Sequence, residues 1–149
     1  VIVIGIDPDL TASGVAVIHN GRILELDRIP FTGMTKWLSY QSALNDLLIK
    51  IEDPNLIKPT FPRMMPTARN KQAVSNRISQ NVGQVKAVAT LLIETITAAG
   101  YQVKCCRPLV GGHKAMCKKD AAYFNKLTGW AGRSNEDCRD AALIALFGV

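Results

Sequence analysis

Four acidic side chains have the types and positions for metal-assisted chemistry. Asp7 ends a near-continuous apolar run, Val1-Ile2-Val3-Ile4-Gly5-Ile6. Glu136, Asp137 and Asp140 open a segment that continues Ala141-Ala142-Leu143-Ile144-Ala145-Leu146-Phe147. On a helix, positions 137, 140 and 144 share one face, so two acids stand above an apolar contact, Ile144. Acids in a first turn suit the helix dipole, and simple capping would account for that much. Capping does not explain two acids on the face that Ile144 turns inward. Like charges at this spacing repel, and a divalent cation removes that cost. Carboxylates of this kind are hard-oxygen donors suited to Mg²⁺. Two such ions about 3.5–4 Å apart can activate a water and stabilise the leaving oxygen in phosphodiester cleavage.

These acids have to be brought together by the elements that carry them. The first run reads as a strand buried on both faces, hence central in a sheet. Pro8 stops its pairing and leaves Asp7 at its carboxyl end, where open α/β sheets place their chemistry. The plainer alternative is a loop aspartate that follows a strand. Residues 14–19 form a second strand, Asn20-Gly21 marks a hairpin, and residues 23–29 form a third. Glu25 and Asp27 alternate on its solvent side. Thr35 caps an expected helix over 36–51, with Trp37, Leu38, Leu44, Leu47, Leu48 and Ile51 at helical spacing. A short strand is expected within 55–62, made irregular by Pro59 and Pro62. A basic loop over 63–71 precedes a long helix over 72–99, striped by Val74, Ile78, Val82, Val85, Leu92 and Ile96. A strand over 101–106, a segment over 114–127 that is helical or partly so, and a last helix over 135–146 complete the pattern.

The 149 residues read as one domain, 1–149. The net charge of +6 favours an anionic partner, most commonly nucleic acid. No apolar run is long enough to span a bilayer, so no membrane is expected; an intracellular location is expected. Cys105, Cys106, Cys117 and Cys138 lack the Cys-x-x-Cys spacing of a zinc ribbon, and reduced thiols are the preferred reading.

The motifs resemble those of the RuvC-like Holliday junction resolvases, within the ribonuclease H-like nucleases. The residues that carry this are Gly5-Ile6-Asp7-Pro8 with Ser13-Gly14, Met65-Pro66 before a polar helix, Lys118-Lys119-Asp120, and Asp137-Cys138-Arg139-Asp140-Ala141-Ala142-Leu143-Ile144-Ala145. The phage and organelle branches are nearest in style. The resemblance runs along essentially the whole chain. It implies an α/β fold: a five-stranded mixed sheet, three antiparallel strands then two parallel, flanked by helices. It implies a structure-selective endonuclease that binds four-way DNA junctions and resolves them by paired, divalent-metal-dependent hydrolysis. The cofactor would be Mg²⁺, with Mn²⁺ able to substitute, and no nucleotide cofactor is needed. The partners would be branched DNA and a second copy in a homodimer. The location would be cytoplasm or nucleoid, or an organelle matrix had a targeting segment been lost.

The family uses four acids: one ending strand one, one ending strand four, and two on the last helix. Asp7 matches the first, Asp140 the last and Asp137 the one before it, with Glu136 as the alternative. The strand-four acid lies about six residues before the Met-Pro proline, and counting back from Pro66 reaches Thr60. A neutral hydroxyl cannot replace a bridging carboxylate. Three explanations compete: an inactivating change at Thr60, a shifted strand in which Glu52 or Asp53 serves, or a protein that binds junctions without cutting. The first is preferred, because a helix over 36–51 would put Glu52 and Asp53 at the wrong edge of the sheet. The resemblance also implies DNA contacts at Arg63, Arg69, Lys71, Ser75, Asn76, Arg77, Lys118 and Lys119, and solvated surface charge is the alternative for each. A monomeric branch or flap nuclease is a further alternative. Actin-like ATPases share the opening hairpin but need two lobes and a longer chain.

Overall fold

The apolar run at the start of the chain forms β1, Ile2–Asp7, the central strand of a five-stranded sheet. A computed structural model describes residues 1–57 and 71–149, except the Lys71 side chain. Expectations placed on Pro59, Thr60, Pro62, Arg63, Met65, Pro66 and Arg69, and on the side chain of Lys71, lie outside the described residues. Strands β2, Ser13–His19, and β3, Arg22–Ile29, complete an antiparallel meander with β1. Their hairpin turns through Asn20 at φ 50° and Gly21 at φ 74°, as a tight Asn-Gly turn requires. Strand β4, Leu47–Glu52, pairs parallel with β1, and β5, Gln102–Cys106, pairs parallel with β4. The order β3-β2-β1-β4-β5, three antiparallel strands then two parallel, is the mixed sheet that the resemblance implies.

Period-two alternation divides the side chains between two layers. Ile2, Ile4 and Ile6 of β1, Val15 and Val17 of β2, and Leu47, Ile49 and Ile51 of β4 face one way. They pack on Met34 and Leu38 of α1, Phe31–Ser42, and on Val88, Leu92 and Ile96 of α2, Lys71–Ala98. Ala16 and Ile18 face the other way with three further helices, α3, Gly112–Lys119, α4, Ala121–Thr128, and α5, Glu136–Phe147. Helix α5 is buried from Cys138 through Ala145, lying between the sheet and α3. The alternation puts Gly5 and Asp7 of β1, and Lys50 and Glu52 of β4, on this second face. The Lys50 ammonium donates to the Gly148 carbonyl just past α5, at 3.1 Å.

Two expected elements are corrected. The helix expected over 36–51 is α1, which begins after Pro30 and stops at Ser42. Leu44 is 93% exposed, and residues 47–52 alternate between buried and half-buried as a strand. Leu47, Leu48 and Ile51 fit helical spacing as well as strand spacing, and the turn residues Asn45-Asp46 separate the two elements. The strand expected within 55–62 is not present over its described part. Asp53 instead caps a single 3₁₀ turn, Pro54–Leu56, accepting from the Asn55 amide at 3.0 Å. The segment over 114–127, expected to be helical or partly so, forms two helices parted at Asp120, whose carboxylate accepts from the Ala122 and Tyr123 amides and starts α4.

Helix α5 lies on the backbone of β1 and β2. A Cβ added to Gly14 would fall 2.1 Å from the Asp137 carbonyl oxygen, and one added to Gly5 would fall 2.0 Å from that of Ala141. Neither backbone atom can yield without moving the helix. Gly14→Ala is therefore expected to cost roughly 1–3 kcal/mol or more in urea unfolding. Gly83, with open space around its Cα in α2, serves as a control: Gly83→Ala should stabilise by about 0.5–1 kcal/mol. A Gly14→Ala effect no larger than about 0.5 kcal/mol, the usual scatter of surface changes, would contradict the close approach.

Candidate metal centre

The parallel register sets Ile6 opposite Ile51, so Asp7 and Glu52 are the next residues of adjacent strands. Both are at carboxyl ends, and both are on the face covered by α5. Glu52 thus occupies the end of strand four, the position sequence counting assigned to Thr60. The expectation that Glu52 sits at the wrong edge is overturned, because the segment that carries it is a strand and not the end of a helix. Glu52 lies fourteen positions before Pro66, rather than about six, so counting from the Met-Pro pair passes over it. Asp53, the other candidate, is buried and has its carboxylate engaged by the backbone and side-chain amides of Asn55.

Asp140 comes to the same place from α5, and the charges register this. The Asp7 carboxyl is pushed up from 3.8 to about 8 by burial, then by the negative charges of Glu52, Asp140 and Asp137. Lys114 opposes the rise. Burial also pushes Asp140 up; Lys114 counters it and Glu52 adds to it. Asp137 stands nearer the rim, raised by burial and lowered by Arg28. Glu136 is exposed and its carboxylate meets the Lys118 ammonium at 3.0 Å.

Cations from two other elements stand against these acids. The Arg28 guanidinium of β3 lies 3.2 Å from Asp137, and the Lys114 ammonium of α3 lies 3.8 Å from Glu52. Even so, Glu52 Oε2 and Asp140 Oδ1 are buried carboxylate oxygens with no hydrogen-bond partner among the described residues. Orphaned oxygens of this kind, in an all-oxygen donor set, fit a hard divalent cation. Among the described residues, no three His, Cys, Asp or Glu side chains already stand together as a ligand group for one ion.

The remaining expected site residues divide by position. Lys118 and Lys119 form the last turn of α3, and Lys118 is beside the acids. Ser75, Asn76 and Arg77 lie on the first half of α2, where side chains are exposed or half-buried; core packing begins at Val88. Nothing described brings them to the acids. Sequence reasoning assigned no site role to Lys114, Arg28 or Arg139. Arg28 alternates with Asp27 on β3, and which of them reaches Asp137 depends on the register with β2.

No family model matches the chain, and no curated protein matches it. Solved structures do. A structure of Thermus thermophilus RuvC in complex with a Holliday junction substrate has a TM-score of 0.55 and 17% identity, covering 98% of this chain and 91% of that one. A further Thermus thermophilus RuvC structure has a TM-score of 0.50 and 17% identity, covering 98% and 92%. The chain has the RuvC-like, ribonuclease H-like fold.

The raised Asp7 carboxyl makes a prediction about stability without metal. Between pH 3.8 and about 8 the folded protein holds a proton on Asp7 that the unfolded chain has released. Stability from this group is therefore present at low pH and is lost as pH rises toward 8. Metal-free Asp7→Asn should melt higher than the parent at pH 8, and the gap should shrink toward pH 5. A gap that is constant across this range, or reversed, would contradict the crowding of the acids.

Proposed function

We propose that this chain is a structure-selective endonuclease that binds four-way DNA junctions and cuts them by divalent-metal-dependent phosphodiester hydrolysis. The observation that carries this reading is the placement of Glu52 beside Asp7, on the sheet face that receives Asp140. Asp7, Glu52 and Asp140 are the residues that would hold Mg²⁺ or Mn²⁺, with Asp137 or Glu136 completing the set. Such ions, when bound, would help to activate a water and to offset charge on the leaving oxygen. Lys114 and Lys118 place positive charge next to the acids, where a DNA phosphate has to enter a strongly negative site. Arg28 does the same from the β3 side. In the reaction a water oxygen attacks phosphorus, the P–O bond to the leaving sugar oxygen breaks, and that oxygen takes up a proton.

The non-cutting alternative rested on a missing acid at strand four, and Glu52 supplies one. Paired cuts across a four-way junction require two sites related by symmetry, so the active form is a homodimer. The first half of α2 supports this: Ile78 and Val82 are 42% and 46% exposed, a stripe that a second copy can cover. The whole of 1–149 acts as one nuclease domain. Among the described residues, no helix is long and apolar enough to cross a membrane.

A nicking assay on a synthetic four-way junction with Mg²⁺ or Mn²⁺ tests the reading. Glu52→Gln and Asp140→Asn should each lower single-turnover cleavage by at least roughly 10²–10³, the scale of losing one charge stabiliser in an active site. Thr60→Glu should not raise it. A parent protein that binds the junction without nicking, or Thr60→Glu raising cleavage by orders of magnitude, would overturn the assignment of Glu52. Analytical ultracentrifugation adds the assembly: a single 16.2 kDa species at micromolar concentration would contradict paired cutting.

A further inference from the structure

Arg139 sits between Asp137 and Asp140 in sequence, is 8% exposed, and touches none of the acids. A buried guanidinium is usually balanced by a carboxylate. This one donates instead to four oxygens: Nε to the Cys117 carbonyl at 2.7 Å, Nη2 to the Lys118 carbonyl at 3.1 Å, and Nη1 to the Ser134 carbonyl and hydroxyl, each at 3.1 Å. Cys117 and Lys118 are in the last turn of α3, where carbonyls have no partner within the helix and carry the negative end of its dipole. Ser134 immediately precedes Asn135, the residue that caps α5. One side chain therefore ties the end of α3 to the start of α5.

The tie sets where the basic residues of α3 fall. With the carbonyl of Lys118 fixed, its ammonium reaches Glu136 at 3.0 Å. Lys114, one turn earlier on the same face, reaches Glu52. A lysine in place of Arg139 could keep the charge but not the planar fork that serves four acceptors on two segments.

We propose that Arg139 is a positioning residue: it holds α3 on α5 so that Lys114 and Lys118 stand at the acid cluster, where they receive a DNA phosphate. The DNA half of this rests on the nuclease reading; the docking half does not. Arg139→Lys tests both, with Ser134→Ala as the milder variant should the first fail to fold. Amide hydrogen exchange over 112–119 should speed up by at least about tenfold in Arg139→Lys, with the central strands unchanged, and by less in Ser134→Ala. Binding to a four-way junction without divalent ion should become less salt-dependent, its log–log slope falling by about 0.9 for each phosphate no longer neutralised. Added to Lys114→Ala/Lys118→Ala, Arg139→Lys should lower the slope no further.

Unchanged exchange in α3 would overturn the docking role. A fall in slope fully additive with the two lysine changes would overturn action through those lysines. A parent protein that binds no branched DNA would overturn the nuclease reading and the DNA half together, while the exchange rates still decide whether Arg139 holds α3.

Discussion

The close approach of α5 to the backbone of β1 and β2 is the constraint from which the site follows. Gly5 and Gly14 present no side chain, and Ala141 and Ala145 present very little, so the helix sits directly on the two strands. That packing buries one helix almost all round and carries its two aspartates to the strand ends. A larger residue at either glycine would lift Asp137 and Asp140 away from Asp7. The same face takes Glu52 from β4 through the parallel register, with no further device needed.

Bringing acids together costs stability, and the surroundings offset it only in part. Arg28, Lys114 and Lys118 each face one carboxylate. Among the described residues Asp7 has no such partner of its own, and its carboxyl is held near 8. Among the described residues, two buried carboxylate oxygens are left unsatisfied. A fold that only needed to be stable would place apolar groups here, since charges buried without full pairing are expensive. Such expense concentrates at functional sites. Arg139 belongs to the same scheme at one remove, because it directs its hydrogen bonds to backbone carbonyls and so fixes the helix that supplies two of the cations.

Much of this was legible in the sequence. The apolar run ending in Asp7, the Asn20-Gly21 hairpin and the acidic start of the last helix depend on local pattern, and the structure forms each of them. The segment 36–52 was not legible in the same way. Its leucines and isoleucines satisfy a helical and a strand period together, and only Leu44, left in solvent, separates the two. That ambiguity moved strand four by several residues and hid Glu52 behind Thr60. Lys114, Arg28 and Arg139 could not be read at all. Their partners are remote in sequence, and a lone basic residue carries no local mark of the carbonyl or carboxylate it will meet.

We propose that Asp7, Glu52 and Asp140 together hold a divalent cation. The most direct test is a calorimetric titration of the DNA-free protein with Mn²⁺ at pH 8, comparing the parent with Glu52→Gln and Thr60→Ala. Saturable binding by the parent is expected, with most of that affinity lost in Glu52→Gln and none lost in Thr60→Ala. Binding that survives Glu52→Gln unchanged would contradict it.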